Sequence, residues 1–119
     1  MEKSVPFFDR GNCMFEINCI YWNVIYVNPN DDNLKRSDGS ITLGVTDLET
    51  KTIYINSRLH GALLQKVLLH EICHAFIFST GYYFDIATEE LICDLVASYG
   101  RDMIETLNML IAQMNRVVI

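Results

Sequence analysis

Basic residues are scarce in this chain, and none of them clusters. Its 119 residues include 9 Lys and Arg against 15 Asp and Glu, which gives a formal net charge of −6, and the longest basic run is the pair Lys35-Arg36. Proteins that bind nucleic acid neutralise backbone phosphates with clustered Lys and Arg. The sequence therefore predicts no nucleic-acid partner.

The chain also lacks the patterns of membrane and disulfide-rich proteins. No apolar run reaches the roughly 18 residues that span a bilayer, and the first ten residues mix charges with a short apolar stretch, unlike a signal peptide. Its four cysteines contain no CxxC pair, so a four-thiolate zinc site has no support and reduced thiols are expected; they are Cys13, Cys19, Cys73 and Cys93. These absences predict a cytoplasmic protein without a membrane partner.

The composition is that of an ordinary globular chain. Half of the residues are hydrophobic and 20% are charged, and this length accommodates one core, so residues 1 to 119 are predicted to form a single domain. Residues 15–27 are rich in aromatic and β-branched side chains and predict one long or two short strands around a core Trp22. Alternation predicts further strands at 41–46 and 52–56, joined by a hairpin at 47–51. The first half is expected to form a small, mostly antiparallel sheet.

From Ser57, a predicted N-cap, the spacing becomes helical. The first helix is predicted to end at Gly81, and its middle, 67–78, is apolar almost all round, which is typical of a helix at the centre of a protein. A second helix is predicted from Asp85 or Thr88 to Gly100. A third is expected to pack an apolar stripe of helical spacing: Met103, Leu107, Leu110, Met114 and Val117. The predicted fold class is therefore α+β, a sheet followed by a central helix and two further helices.

The central helix carries the motif HExxH, formed by His70, Glu71 and His74. Residues four apart on a helix lie about 40° apart around its axis, so the two imidazoles can bind one zinc ion. Glu71 lies about 100° further round, where it can deprotonate a water at the metal. Two histidines and a glutamate in the most apolar helix of the chain favour such a site over an unliganded core, because buried charges are rare unless paired or ligated.

A catalytic zinc ion needs a third protein ligand. His60 is ten residues upstream on the predicted helix, about 15 Å along its axis, and is too distant to share the ion. Glu90 and Asp94 lie four apart at the start of the next helix and share a face. We therefore predict that Glu90 is the third ligand and that Asp94 accepts a hydrogen bond from a ligand histidine. Glu89 is the alternative ligand.

HExxH followed by a helix with ExxxD resembles the gluzincin class of zinc metallopeptidases. The order of a sheet with ITLGVTD and TIYIN, the helix VLLHEICHAFIF and the helix EELICDLVASYG is similar to small phage- and prophage-encoded metallopeptidases, the ImmA/IrrE-like group and the minigluzincins. The resemblance covers roughly residues 44 to 100, and Cys73 stands where ImmA/IrrE-like proteins usually have glycine. It implies a zincin-like fold with one zinc ion per chain and a glutamate as third ligand.

Several further residues are candidates for supporting roles. A tyrosine hydroxyl near the metal could stabilise an oxyanion, and Tyr82, Tyr83 and Tyr99 flank the motif in sequence. Residues 44–47 could form an edge strand that holds an extended substrate by backbone pairing. Cys73 and Cys93 are expected to pack rather than ligate, and residues 115–119 are expected to form a strand or to occupy the cleft.

Three functional hypotheses follow. The first is a zinc endopeptidase that cleaves a protein or peptide substrate, with Glu71 as general base. The second is a non-catalytic regulator of phage or host origin that binds a protein and uses zinc as a structural staple. The third is a metal-free interaction protein that dimerises through its C-terminal helix. The sequence identifies neither the cleavage sequence nor the oligomeric state.

Overall fold

Two β-hairpins make up the sheet at the start of the chain. In the computed structural model, which describes residues 13 to 117, β1 (Cys13–Ile17) pairs with β2 (Ile20–Val27), and β3 (Gly44–Asp47) pairs with β4 (Thr52–Asn56). Both pairings are antiparallel, whereas β2 and β4 run parallel, so the strand order is β1-β2-β4-β3. The mostly antiparallel sheet and the α+β class are confirmed, and β3 is an edge strand.

The turns explain where the strands end. Asn18 and Cys19 both have positive φ, 51° and 66°, as a two-residue hairpin turn requires, so residues 15–27 form parts of two strands. In the predicted hairpin at 47–51, the Asp47 carboxylate accepts a hydrogen bond from the Glu49 N–H at 3.0 Å. The predicted strand at 41–46 is shorter than expected, because Ile41 makes only an isolated bridge with Lys35.

The core lies between the sheet and the first helix, α1 (Gly61–Thr80). Trp22, Ile53 and Ile55 are fully buried, which confirms Trp22 as a core residue. The Trp22 indole N–H donates to the Ser79 hydroxyl at 2.8 Å, so its polar atom is satisfied at the end of α1.

Helix α1 begins later than predicted and ends where predicted. Ser57 is not its N-cap: the Ser57 N–H donates to the Val27 carbonyl at 2.8 Å, and the helix starts after an extended His60. Its C-cap is Gly81 with φ of 83°, a left-handed conformation that glycine adopts without strain. His60 is therefore the N-cap residue, directly before the first residue of the helix.

The expectation that α1 runs through the centre is wrong. Among residues 13 to 117, α1 is covered only by the sheet and by the second helix, and Phe76 and Phe78 remain 48% and 41% exposed. The expectation of no possible membrane span also needs correction, since α1 is long and apolar enough to cross a bilayer by length and composition alone. One such helix is weak evidence, because core helices of soluble proteins meet the same criteria.

The second helix, α2 (Ile86–Val117), replaces the two helices that were predicted. Asp85 precedes it and accepts the Thr88 backbone N–H at 2.8 Å; hydrogen bonds from Thr88 lower the pKa of the Asp85 carboxyl. Gly100 does not end the helix but lies inside it against α1, where an added Cβ would lie 3.7 Å from Leu69.

The apolar stripe in the second half of α2 is exposed rather than packed. α2 has 32 residues and α1 has 20, so α2 is about 18 Å longer. The described stripe residues are 42% to 59% exposed: Met103, Leu107, Leu110 and Met114. Residues 115–117 are the last residues of this helix, so the predicted strand does not form there. Residues 1–12 and 118–119 lie outside the described part of the chain, and so does the expectation that the first ten residues are not a signal peptide.

Candidate metal centre and active site

The two motif histidines point the same way from α1 and converge on one point. Their Nε2 atoms lie 3.2 Å apart, and both side chains are mostly buried, at 19% and 14% exposure for His70 and His74. One turn of helix separates them, so the regular spacing of α1 is sufficient to bring their rings together.

Each histidine is held through its other ring nitrogen by a carboxylate of α2. Asp94 Oδ1 lies 3.0 Å from His70 Nδ1, and Glu89 Oε2 lies 2.6 Å from His74 Nδ1. A carboxylate oxygen beside each Nδ1 favours the tautomer that carries its proton there, because an ionised carboxylate only accepts hydrogen bonds. Both Nε2 atoms then present lone pairs to the shared point, as metal-ligating histidines do.

Glu90 completes the cluster from the first turns of α2. Its Oε1 lies 3.0 Å from His70 Nε2 and its Oε2 lies 3.5 Å from His74 Nε2. His70, His74 and Glu90 form a group that could hold a metal ion, with one ligand atom from each within 4.8 Å of the others. Glu89 is bonded to the outer nitrogen of His74, so the geometry favours Glu90 over Glu89 as the third ligand. Its role stays a prediction.

Glu71 is buried beside the cluster, with 8% exposure. Its Oε1 accepts a hydrogen bond from the Thr46 hydroxyl at 2.7 Å, and the same hydroxyl lies 3.1 Å from the Glu71 backbone carbonyl. From the edge strand β3, Thr46 thus holds a carboxylate that makes no ion pair with a cation of the described residues. The sequence analysis did not select Thr46; the placement of residues 44–47 beside the cleft was the signal for it.

A glycine allows β3 to approach α1 this closely. A Cβ at Gly44 would meet Val67 Cγ1 at 2.9 Å and Glu71 Cγ at 3.1 Å, distances that force a neighbour to move. Gly44 and Thr46 lie two apart and share the face of β3 that meets α1. The absence of a side chain at Gly44 therefore lets Thr46 approach Glu71 closely enough for a hydrogen bond.

An open depression of about 270 Å³ lies between β3 and the two helices, and it exposes the cluster to solvent. His70, Glu71, His74 and Glu90 all contribute to its wall. Arg36 also lines it, from the loop before β3, and the sequence analysis assigned this residue no role. Arg36 precedes His70 by 34 residues in the sequence, so no local spacing predicts that the two residues line the same depression.

The three tyrosines are not placed against the histidines. Tyr82 and Tyr83 are 67% and 91% exposed and line a neighbouring hollow instead. Tyr99 is nine residues after Glu90, half a turn out of phase, and is 58% exposed. None of the three lines the depression at the histidines, and their role as oxyanion stabilisers stays a prediction.

The two inner cysteines pack between the helices behind the cluster. Cys93 is fully buried, and its thiol is hydrogen-bonded with that of Cys73. Burial raises the pKa of both thiols, and the nearby Glu89 charge raises them further. Both side chains are therefore held as neutral thiols, in agreement with a packing role.

Comparisons with known proteins returned no match: no family model, no curated protein and no solved structure is significantly similar to this chain. The resemblance to gluzincins therefore depends on the residues of this chain and on their arrangement. It remains an expectation.

Proposed function

We propose that this protein is a zinc-dependent endopeptidase. The observation that carries the proposal is the convergence of His70, His74 and Glu90. The two Nε2 atoms lie 3.2 Å apart, Glu90 Oε1 lies 3.0 Å from that of His70, and Glu90 Oε2 lies 3.5 Å from that of His74. Ligand atoms about 2.0 to 2.1 Å from a tetrahedral zinc ion lie about 3.3 Å from one another. Two imidazoles and one carboxylate suit zinc, whereas calcium and magnesium prefer oxygen ligands throughout.

Glu71 is positioned to move the proton in this reaction. Zinc in a site with one open position supplies Lewis acidity that activates water and polarises a carbonyl group. Glu71 accepts the proton from the attacking water and then donates it to the leaving amine. The Thr46 hydroxyl bonds Oε1, so Oε2 remains available for this transfer.

The edge strand supplies a place for the substrate. β3 lies beside the depression, and its outer side is not paired with any strand within residues 13 to 117. An extended peptide can add to such an edge through backbone hydrogen bonds. We propose a protein or peptide substrate bound there, in the cytoplasm, with neither nucleic acid nor membrane as partner.

The position of Glu71 favours catalysis over a purely structural zinc site. A zinc staple would need the ligands His70, His74 and Glu90 but no further buried carboxylate beside them. Glu71 is only 8% exposed and accepts a hydrogen bond from the Thr46 hydroxyl. Such a carboxylate costs desolvation energy, which a staple gives no reason to retain.

Zinc content and peptidase activity test the proposal together. Wild-type protein should hold about one zinc ion per chain after dialysis, and Glu90→Ala should lose it. Glu89→Ala should keep zinc with about 10- to 100-fold weaker affinity, since Glu89 only orients His74. Glu71→Gln should retain zinc and lose cleavage of an unfolded protein such as casein.

Three results would contradict the proposal. Wild-type protein that takes up no zinc removes the metal site. Cleavage at the wild-type rate by zinc-loaded Glu71→Gln removes the general base, and zinc binding without any cleavage leaves only the structural staple.

A further inference from the structure

The depression at the histidines is the middle of a longer groove along β3. Toward Gly44 it merges with a second hollow of about 420 Å³, with which it shares Gly44, His70 and Glu71. Toward Leu48 it merges with a third hollow of about 370 Å³, with which it shares Leu48 and Glu89. We call these the Gly44 end and the Leu48 end of the groove.

Two cations line the Gly44 end. Arg36 comes from the loop before β3 and Lys66 from α1, one turn before His70, and both side chains are exposed. Among residues 13 to 117, neither side chain makes an ion pair with a carboxylate; Lys35, the neighbour of Arg36, pairs with Asp32.

The carboxylates at the same end already have partners. Asp94 bonds the His70 ring, Glu90 faces both histidines, and Glu71 accepts from Thr46. Arg36 also interacts electrostatically with the exposed Asp38, but within residues 13 to 117 neither Arg36 nor Lys66 lies within ion-pair distance of a carboxylate, so two positive charges line the Gly44 end of the groove. They suit an anionic group on a bound peptide.

The Leu48 end has a different character. Aromatic side chains dominate its wall, among them Phe78, Tyr82 and Phe84, and its charged residues are Asp85 and Glu89. Of the described residues that line it, none is a cation. Lys51 lies against its wall, but its Nζ is engaged by the protein: it donates to the Leu48 carbonyl and lies 4.8 Å from the centre of the Phe78 ring. A preference for negative charge is therefore expected at one end of the groove only.

The direction of β3 sets the direction of the substrate. Antiparallel strand pairing is slightly more stable than parallel pairing. β3 runs from the Gly44 end toward the Leu48 end, so an antiparallel peptide runs from the Leu48 end to the Gly44 end. We propose that the preferred substrate carries an acidic side chain on the C-terminal side of the cleaved bond, bound by Arg36 and Lys66. This inference rests on the proposed peptidase function.

Peptides that differ in one charge test it. Glu, Gln or Lys is placed at each of three positions on either side of a cleavage site, and kcat/KM is measured at 0.15 M salt. Glu should be preferred to Lys by roughly fivefold or more on the C-terminal side, mainly through KM, as expected for exposed ion pairs. The double variant Arg36→Glu/Lys66→Glu should abolish or reverse the preference, and the matched control Lys35→Glu should not.

A binding measurement separates failure of this inference from failure of the proposed function. The same peptides, labelled with a fluorophore, are titrated with zinc-loaded Glu71→Gln protein, and their anisotropy is recorded. Cleavage without a charge preference, or a preference unchanged in the double variant, overturns the inference and leaves the peptidase intact. If no peptide is cleaved, the peptidase proposal fails. In that case the anisotropy titration still tests the inference, and equal binding of the Glu and Lys peptides overturns it as well.

Discussion

At the scale of single residues, Thr46 and Glu71 form the contact on which the proposed chemistry depends most. The Thr46 hydroxyl donates to a buried carboxylate at 2.7 Å. Removing one partner of such a bond leaves the other buried and unsatisfied. The contact also fixes which carboxylate oxygen faces the depression.

Thr46→Val should lower kcat by about tenfold, because Glu71 loses its positioning hydrogen bond, worth about 1 to 2 kcal/mol. Zinc content should not change, since Thr46 contacts no predicted ligand. Thr46→Ser keeps the hydroxyl and should recover most of the rate. Equal kcat values in the valine and serine variants would show that the hydrogen bond has no role in turnover.

At the scale of elements, the closest approach is that of β3 to α1. This approach requires a residue without a side chain at position 44, because an added methyl group would meet atoms of Val67, Glu71 and Ile55 at 2.9 to 3.2 Å. All three neighbours are side chains of a packed interface, so an added methyl group requires at least one of them to move.

Gly44→Ala should therefore destabilise the fold by about 1 to 3 kcal/mol, as overpacking does. It should also lower activity, because β3 carries Thr46 away from Glu71. Urea denaturation and kcat measure the two effects. Gly100→Ala is the control: Gly100 lies in α2 with helical φ, its Cβ would meet Val96 at 3.3 Å, and the gain in helix propensity of up to about 1 kcal/mol offsets the crowding.

The second half of α2 is the least covered element. Its apolar stripe continues the face that packs α1 but extends past the end of α1. Leu107 and Ile111 are 51% and 47% exposed, so no core contact supports them.

Leu107→Gln and Ile111→Gln should each change the free energy of unfolding by less than about 0.5 kcal/mol, as substitutions at exposed sites do. Ile53→Ala, at a fully buried position, should cost about 2 to 5 kcal/mol. The urea concentrations at the midpoints of denaturation measure the stabilities of these three variants against wild-type protein. A loss above about 2 kcal/mol at Leu107 or Ile111 would mean that the stripe is covered in solution.

At the scale of the whole molecule, the predicted ligands come from both helices. His70 and His74 lie on α1, and Glu90 lies on α2. An ion that binds all three would tie the helices together only in the folded chain, so its binding free energy would add to stability.

Removal of zinc by a chelator should therefore lower Tm. At zinc one hundredfold above its dissociation constant, the stabilisation is about 2.7 kcal/mol, or roughly 10 °C in Tm for a domain of this size. Glu90→Ala should abolish the dependence on zinc, whereas Glu71→Gln should retain it. Equal Tm values for wild-type protein with zinc and with chelator would contradict a metal that links α1 and α2.

The sequence alone determined those features that depend on local spacing. HExxH places two imidazoles on one helix face because the α-helix repeats every 3.6 residues, and ExxxD does the same for Glu90 and Asp94. Alternation and turn residues located the hairpin at 47–51, and Gly81 marked the end of α1. These features need no knowledge of distant contacts, so the pattern was sufficient.

Only the tertiary structure decided which residues of different strands and helices lie in contact. The contacts of Thr46 with Glu71 and of Glu89 with His74, and the position of Arg36 in the groove, join residues on different elements, and no periodicity encodes them. The same applies to burial: amphipathic spacing predicted a packed last helix, but a face becomes buried only if another element reaches it. α1 is too short to cover the end of α2, and that length difference decides which apolar residues stay exposed.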